Sequence, residues 1–310
     1  MMSELLLLQP VFKDRIWGGT LLKKEFNYNI PTNTTGECWA ISAHPEGESI
    51  ITNGKLKGMT LSKVYQDHPE LFNHCESKTF PLLTKIIDAA QDLSVQVHPD
   101  DDYALKYTKD RGKTECWYVL DAVEGASMIF GHKAQTKEEF ISLIEQGKWD
   151  ELLIRREVKK GDFIYVPAGT IHALCKGTMV LETQQSSDTT YRLYDYDRTD
   201  ALGNKRQLHI KESIDVTTIP HSDFCLMTKV TQIGKNVNTK FVSNQFFTVE
   251  KWDIQDYIQF PNTRFYIISV IEGEGLINLT KVTKGMHLII TSAAKEVKLE
   301  GKFSVIASYL

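Results

Sequence analysis

The sequence predicts a mainly β protein, arranged as a barrel or as a double-sheet jelly roll. Short runs rich in β-branched and aromatic residues recur along the chain, and several end at Gly, Pro or Asp, which favour turns. The clearest runs are Ser94–His98, Cys116–Leu120, Phe163–Val166, Met179–Thr183, Phe246–Trp252, Phe265–Ile271 and Ser304–Tyr309. Helical patterns are confined to two places, so we expect helices to decorate the sheets.

The first helical pattern, Thr60–Phe72, begins at a residue type that caps helices and keeps its apolar residues on one face. The second begins at Thr136, which forms a capping box with Glu139. A shorter helix is predicted for Trp149–Ile154. We therefore expect helical insertions at about residues 60–74 and 136–156.

A weak internal repeat indicates two copies of one β-unit. Lys159–Val166 resembles Thr283–Ile290, and Val123–Gly125 resembles Ile271–Gly273. These landmarks lie closer together in the second copy, by about the length of the second helical insertion. We therefore predict a first domain over residues 1–233, which carries the insertions, and a second β-unit over residues 234–310.

Composition excludes several classes of function. The chain has 36 Lys and Arg against 40 Asp and Glu, a net charge of −4, and it contains no basic run of the kind that binds nucleic acid. The apolar run Leu5–Leu8 is too short to span a membrane and is predicted to be a buried strand, and no other run approaches the length that a membrane requires. We expect no nucleic-acid partner and no membrane association.

Cysteine usage indicates a reducing compartment. The chain has five cysteines, an odd number, and none of them forms a CxxC pair. We therefore expect reduced thiols and a cytoplasmic location. We further expect a monomer or a weak homo-oligomer.

Four polar residues could form a metal site: Gln96, His98, Glu115 and His172. Because side chains alternate along a strand, Gln96 and His98 share a face while the flanking valines point the other way. Two imidazoles, a carboxylate and an amide oxygen suit one divalent cation with open coordination positions. Zn²⁺ is our choice, with iron, manganese and cobalt left open. The alternative is that each side chain is a separately satisfied polar residue.

Several motifs in order resemble those of the type I phosphomannose isomerases, most closely the short bacterial form, over nearly the whole chain. The motifs are Trp17–Gly19, Gly36–Trp39, Phe80–Lys85, Gln96–Asp100, Gly112–Glu115, Pro167–His172 and Gln185–Arg192. The resemblance implies a cupin-type jelly-roll barrel and the interconversion of mannose 6-phosphate and fructose 6-phosphate, so the expected partner is a small sugar phosphate. It also implies a Zn²⁺ bound by Gln96, His98, Glu115 and His172, and an active-site role for Arg192.

The second β-unit is expected to be a degenerate copy. Aligned on the repeat, Glu115 falls on Thr263 and His172 on Glu296. The aligned positions lack the ligand set, so we predict one metal per chain.

Other residues are assigned provisional roles in this chemistry. Arg192 is expected to bind substrate oxygens or the phosphate; a surface salt bridge to Asp188 or Asp195 is the alternative. Lys85 and Ser94 are the phosphate candidates, against a solvated lysine.

The residue that moves the proton is left open between candidates. Lys113 is expected to supply charge or to act as an acid or base. Glu182 is a candidate base, and a rim carboxylate paired with a lysine is the alternative. Trp17 is expected to line a face of the sugar, or else to pack in the core.

Two other functions remain compatible with a metal site of this kind. One is a different metal enzyme on the same barrel, such as a ferrous oxygenase or another sugar-phosphate isomerase. The other is a sugar-binding regulator without activity. The basic residues Lys85, Lys113 and Arg192 favour a phosphorylated substrate over the oxygenase.

Overall fold

The computed structural model describes residues 4–108, 110–199 and 202–310. The α-helices are α1 Leu21–Phe26, α2 Leu61–Asp67, α3 Asp101–Tyr107, α4 Lys137–Glu145, α5 Trp149–Leu152 and α6 Ile210–Val216, with 3₁₀ turns at Gly54–Leu56 and Pro69–Phe72. No helix in these described ranges is long and apolar enough to cross a membrane.

The strands in the first part of the chain are β1 Leu5–Gln9, β2 Val11–Gly19, β3 Thr35–Ile41, β4 Ile50–Ile51, β5 Leu82–Ala89, β6 Val95–Val97, β7 Glu115–Ala122, β8 Ser127–His132, β9 Leu153–Glu157, β10 Phe163–Val166, β11 His172–Leu174, β12 Thr178–Gln185 and β13 Tyr191–Tyr194. Those in the second part are β14 Lys229–Ile233, β15 Asn236–Ser243, β16 Thr248–Ile254, β17 Tyr257–Pro261, β18 Tyr266–Ile277, β19 Thr280–Thr283, β20 His287–Ile290 and β21 Glu296–Tyr309.

The strands form three antiparallel sheets. A six-stranded sheet has the order β10-β7-β12-β5-β3-β2, and a five-stranded sheet has the order β13-β6-β11-β8-β9. The third sheet runs β14-β15-β16-β21-β18-β20-β1-β4, with β17 paired to β21 and β19 paired to β18. The prediction of a mainly β protein built from packed sheets is confirmed.

The six-stranded sheet is the middle layer, and strand β12 shows why. Val180 points into an apolar cluster shared with Phe130 of the five-stranded sheet. Met179 and Leu181 point the other way, into a cluster shared with Ile306 of the ten-stranded sheet. Because both faces are covered, β12 is buried along its whole length. Polar residues on this strand therefore need partners inside the protein, as Thr183 has in Ser308 of the ten-stranded sheet.

The second unit repeats the strand order of the first. The order β20-β18-β21-β16-β15-β14 corresponds strand by strand to β10-β7-β12-β5-β3-β2. The amide of Gly161 donates to Val119 O at 2.9 Å, and the amide of Gly285 donates to Val270 O at 2.9 Å. Both glycines have a positive φ, 92° and 90°, at the turn before the strand. These two predicted landmarks are structurally equivalent.

The upstream alignment of the repeat was wrong by three residues. Gly273 lies inside β18, whereas Gly125 lies in the turn after β7, so the two glycines are not equivalent. Counting back from the matched Val119 and Val270 places Glu115 on Tyr266, and not on Thr263. Tyrosine at that position still leaves the second unit without this carboxylate ligand.

The predicted helical insertions are present, with one correction. The Thr60 side chain accepts from the amide of Lys63 and caps α2, and Thr136 accepts from the amide of Glu139 and caps α4. The helix predicted for Trp149–Ile154 ends earlier, at Leu152. Leu153 is the first residue of β9, which pairs with β8, so the backbone from this residue onward bonds to the sheet and not within a helix.

Three strands before residue 234, β1, β4 and β14, join the sheet of the C-terminal unit. Strand β1 pairs with β20, with Leu5 opposite Ile290, and β14 pairs with β15, with Ile233 opposite Asn236. The predicted burial of the apolar N-terminal run is thereby explained. The division of the chain at residues 233 and 234 stays a prediction.

Candidate active site

Strand β6 presents polar side chains to a cavity between the six- and five-stranded sheets. Val95 and Val97 are fully buried in the core, while Ser94 and Gln96 line the cavity on the opposite face. The alternation predicted from the sequence is confirmed. It brings the polar face of one short strand to the middle of the molecule.

The neighbours of β6 add two further functional side chains. His172 is the Cα partner of Gln96 on β11, and Arg192 is the partner of Gln96 on β13. Pairing across three adjacent strands therefore sets an arginine, a glutamine and a histidine in one row. The turn before His172 depends on Gly169, whose φ is +84° and where an added Cβ would lie 2.5 Å from Thr218 Oγ1.

Glu115 reaches this row from the other sheet. It is the first residue of β7, and its Oε2 lies 3.4 Å from His98 Nε2 while its Oε1 lies 3.3 Å from His172 Nε2. One ligand atom from each of the three residues lies within 4.8 Å of the others, and all three residues are buried. It is the one such group of His, Cys, Asp or Glu among the residues that the structure describes.

Hydrogen bonds fix the orientation of both imidazoles. His98 Nδ1 lies 2.9 Å from Thr189 O, and His172 Nδ1 lies 2.8 Å from Thr170 O. A carbonyl oxygen only accepts, so each Nδ1 carries the proton and each Nε2 has a lone pair on the side of the ring that is near Glu115. Burial lowers the pKa of His172 to about 4 and also lowers the pKa of His98, which keeps both rings neutral. Neutral imidazoles are the form that binds metals.

The donor set fits a divalent cation. Glu115 Oε1 is buried without a hydrogen-bond partner among the described residues, a costly arrangement unless a cation meets it. The Gln96 amide lies 3.4 Å from His172 Nε2, so its oxygen can join the three ligands. Lys113 Nζ, 2.5 Å from Glu115 Oε2 and 2.9 Å from His98 Nε2, gives the carboxylate a positive neighbour. The chain can therefore hold a metal at this point.

The cavity beside this cluster has a volume of about 450 Å³ and contains the other predicted residues. Trp17, Lys85, Ser94, Lys113, Glu182 and Arg192 all line it. The lining also includes residues that the sequence reasoning did not assign, among them Arg15, Glu37, Asp188 and Arg206. The structure therefore places the predicted residues other than the three buried ligands around one cavity, and Lys113 connects that cavity to His98 and Glu115.

Lys85 lies at the inner wall and is not a solvated lysine. Its Nζ is 3.8 Å from Glu182 Oε1, 3.6 Å from Asp188 Oδ1 and 4.8 Å from the centre of the Trp39 ring. Only 3% of its surface is exposed. Two carboxylates therefore already balance this buried ammonium.

Arg192 makes contacts with neutral groups. Its Nε lies 3.3 Å from Ser94 Oγ, and its Nη1 donates to Gln207 O at 2.8 Å. Among the described residues, neither Asp188 nor Asp195 forms an ion pair with it: Asp188 pairs with Lys85, and Asp195 pairs with other arginines. The alternative of a surface salt bridge is therefore wrong, and the guanidinium keeps donors for an anion.

Arg15 and Glu37 form a second charged pair in the wall. Arg15 Nη2 donates to Glu37 Oε2 at 2.8 Å, and Trp39 Nε1 donates to the same oxygen at 2.8 Å. Burial would raise the pKa of Glu37, but the charges of Lys85 and Arg15 outweigh it and lower the pKa to about 2. Arg15 shares a strand face with Trp17, so the period of two could have identified it.

The carbonyl that orients His98 belongs to a turn held by Asp110. Asp110 Oδ2 accepts from the amide of Asp188 at 2.8 Å and from Thr189 Oγ1 at 3.3 Å, and its Oδ1 accepts from the amide of Arg111 at 2.9 Å. The turn in question also places Asp188 against Lys85. Asp110 therefore supports the metal site without touching it.

Replacing Asp110 with alanine is expected to weaken metal binding about 10- to 100-fold, because the turn loses its anchor and His98 loses its fixed orientation. Competition with a chromophoric chelator measures the change. Asp162→Ala is the matched control, since the Asp162 carboxylate accepts from the amide of Lys159 in a turn remote from the site. Equal metal affinity in Asp110→Ala and the unaltered protein would contradict this role.

Comparisons with known proteins agree with this architecture. Residues 5–126 match the family model "Phosphomannose isomerase type I, catalytic domain", and residues 237–310 match "Mannose-6-phosphate isomerase, cupin domain". The mannose-6-phosphate isomerase of Streptococcus mutans is 50% identical over 313 residues, covering 99% of each chain. The mannose-6-phosphate isomerase ManA of Bacillus subtilis is 49% identical over 316 residues, covering 100% of each chain.

Solved structures show the same fold. The crystal structure of the mannose 6-phosphate isomerase from Bacillus subtilis has a TM-score of 0.97 and 44% identity, covering 99% of this chain and 100% of that one. A putative mannosephosphate isomerase from Archaeoglobus fulgidus, at 21% identity, has a TM-score of 0.76 and covers 100% of this chain and 98% of that one, a likeness of fold alone. With the full-length identities, these matches show that the chain belongs to the type I mannose-6-phosphate isomerase family, with a cupin fold.

Proposed function

We propose that this protein interconverts mannose 6-phosphate and fructose 6-phosphate. The observation that carries the proposal is the buried cluster of His98, Glu115 and His172 at the wall of a cavity that is also lined by arginines and lysines. A metal site next to a cavity with five basic and four acidic side chains in its lining can accommodate a phosphorylated sugar. The relatives that match over their full length are named mannose-6-phosphate isomerases.

The metal that we propose is a single Zn²⁺, held by Gln96, His98, Glu115 and His172. The two Nε2 lone pairs and the unpartnered Glu115 Oε1 support this assignment. When bound, such an ion polarises a carbonyl and stabilises the negative charge of an enediolate. One carboxylate ligand leaves the site with a positive formal charge, which favours an anionic intermediate.

Glu182 is proposed as the base that moves the proton between C2 and C1. Its Oε2 accepts from Trp117 Nε1 at 2.9 Å, which orients the carboxylate, and its Oε1 has no hydrogen-bond partner among the described residues. Burial and the nearby charge of Glu115 raise the pKa of Glu182, and a raised pKa makes a carboxylate a stronger base. Glu182 would take the C2 proton of mannose 6-phosphate and return it to C1.

Lys113 is proposed as the partner that handles charge on the substrate oxygens. Burial lowers the pKa of Lys113, but Glu115 and Glu182 outweigh this effect and hold the pKa above its ordinary value. The side chain is therefore an ammonium that can donate to a developing oxyanion. Trp17, Lys85 and Ser94 are proposed to contact the sugar, since each lines the cavity.

The deciding experiment is a coupled assay on mannose 6-phosphate, run beside glucose 6-phosphate, with metal content measured on the same sample. We expect turnover of about 1 to 10³ s⁻¹ with mannose 6-phosphate, the usual range for enzymes, and much less with glucose 6-phosphate. Zero turnover in metal-loaded protein would indicate the sugar-binding regulator instead. Oxygen consumption would indicate the oxygenase.

The cellular setting remains a prediction from the sequence. The five free thiols of the structure support the proposal of a cytoplasmic location, where disulfides are rare. A monomer or weak homo-oligomer is likewise our proposal. Gel filtration at several protein concentrations would test it.

A further inference from the structure

We propose that the second β-unit has a small-molecule site of its own, a cavity that binds an uncharged hexose without a metal. The cavity has a volume of about 330 Å³, and β14, β15, β16, β17, β18 and β21 contribute its lining. Ligand pockets in proteins begin at about this size. The inference goes beyond the proposed function and does not depend on it.

The cavity occupies the place in the second unit that the cavity beside the metal cluster occupies in the first. Starting from the matched Val119 and Val270, the strand registers put Trp252 at the position of Ile87. Ile87 lines the first cavity, and Trp252 lines the second. The repeat has therefore kept a cavity in the second unit although the metal ligands are absent there.

The lining of the second cavity excludes a phosphorylated ligand. By the same registers, Glu250 stands at the position of Lys85, and Asn238 stands at the position of Glu37. No lysine, arginine or histidine is among the lining residues, all of which the structure describes. A phosphate dianion would meet no cation in this cavity and would be repelled by the carboxylate of Glu250.

The carboxylate of Glu250 is a fixed, charged part of the wall. Its Oε2 accepts from Trp252 Nε1 at 2.8 Å and from Asn238 Nδ2 at 2.9 Å, and its Oε1 accepts from the Tyr309 hydroxyl at 2.9 Å. Lys240, which does not line the cavity, has its Nζ 3.3 Å from Oε1. Burial would raise the pKa of Glu250, but the three hydrogen bonds outweigh it and lower the pKa.

Two polar groups of the lining remain available for a ligand. Tyr266 stands where the first unit has Glu115, and within the described residues no hydrogen bond uses its hydroxyl. Asn238 donates to Glu250 through Nδ2, and its Oδ1 has no hydrogen-bond partner within the same residues. A phenol and an amide oxygen together can bind sugar hydroxyls, which both donate and accept.

The rest of the wall offers an apolar surface that a ligand can reach. Trp252, Phe260 and Tyr266 contact one another, with ring centres 5.3 to 6.4 Å apart and planes 69° to 86° apart. Phe260, Tyr266 and Ile258 are only half-buried. A pyranose ring has C–H groups on its faces and hydroxyls at its edge, which matches apolar walls with a few polar groups. A purely apolar molecule would leave the polar groups unpaired.

The test measures binding of D-mannose, D-glucose and D-fructose to the metal-loaded enzyme by saturation-transfer NMR titration. The enzyme is first equilibrated with a saturating concentration of mannose 6-phosphate, which occupies the first cavity. We expect at least one of the free hexoses to bind with a Kd of about 1 mM, an ordinary affinity for so small a ligand. The sugar phosphate should not displace it, because the second cavity has no cation.

Two variants assign the binding to this cavity. Ile258→Trp places a larger side chain in the lining and should weaken hexose binding more than about tenfold. Tyr266→Phe should weaken it about 2- to 10-fold, the loss of one neutral hydrogen bond. Tyr107→Phe is the matched control and should leave the Kd unchanged, since Tyr107 is exposed on α3 and outside the cavity. If Ile258→Trp does not fold, Tyr266→Phe still tests the proposal, because it keeps the ring contacts.

Three results would each overturn the inference. The first is that none of the free hexoses binds at millimolar concentration. The second is that mannose 6-phosphate displaces the bound hexose, which would place it in the first cavity. The third is equal hexose binding by Tyr266→Phe and Tyr107→Phe. None of these measurements uses turnover, so a failure of the proposed function is recognised separately.

Discussion

Replacing His172 with alanine, or removing the metal with a chelator, is expected to lower isomerisation at least about 10³-fold. The imidazole supplies one of the two Nε2 lone pairs that lie beside Glu115, and its loss leaves the buried carboxylate beside one histidine. Lewis-acid stabilisation of an enediolate contributes several kcal/mol, and each 1.4 kcal/mol is about tenfold in rate. Metal content per chain and turnover of mannose 6-phosphate are measured on the same preparation.

Arg192→Ala is the comparison that gives this result its meaning. Arg192 is the strand partner of Gln96 but contacts Ser94 and Gln207 O, so its removal is expected to spare the metal and lower turnover. Zn²⁺ added to chelated protein should restore activity. Full activity in metal-free protein would rule out the mechanism, and equal metal loss in both variants would show that Arg192 belongs to the metal site.

The parts of the site that follow from local geometry were predictable from the sequence. Alternation along β6 set Gln96 and His98 on one face and the valines on the other, because the period of a strand is a property of the backbone itself. The helix caps at Thr60 and Thr136 are equally local, since each satisfies amides within its own first turn. Such features depend on few neighbours in the chain.

The proximity of His98, Glu115 and His172, unlike these local features, depends on tertiary packing. Glu115 comes from the six-stranded sheet and the histidines from the side of the five-stranded one, so their proximity depends on how two sheets pack. No spacing in the sequence gives that packing. The resemblance to a known family implied that the three residues bind one metal, and the structure gives the distances between them.

The cavity and supporting residues that could not be predicted from the sequence lie in irregular segments, which have neither helical nor strand periodicity. Arg206 is in an irregular segment between β13 and α6, and Asp110 is in a loop before β7. Their positions depend on contacts that are distant in sequence: Arg206 donates to Asp195, and Asp110 accepts from the turn at Asp188 and Thr189. The pairing of β1 with β20 is equally non-local, since it joins Leu5 to Ile290 across almost the whole chain.

Glu182→Gln is expected to lower kcat by about 10²- to 10⁴-fold, the range for loss of a general base, while metal content stays unchanged. Glutamine is close to isosteric, and its amide oxygen can still accept from Trp117 Nε1, so the fold should persist. What the variant loses is the proton acceptor at Oε1. Deuterium from solvent should enter the substrate at C2 with the unaltered enzyme and far more slowly with the variant.

The second unit provides a matched control for Glu182→Gln. Glu250 is also a buried carboxylate that accepts from a tryptophan, with Trp252 Nε1 2.8 Å from its Oε2, but it lies on β16 and away from the metal cluster. Glu250→Gln therefore reports the cost of neutralising such a carboxylate, and we expect it to alter stability with turnover preserved. Removal of a general base lowers turnover by more than about tenfold. If Glu182→Gln keeps turnover within about tenfold of the unaltered enzyme, another group must transfer the proton. Lys113, which lines the same cavity, would then be the next candidate.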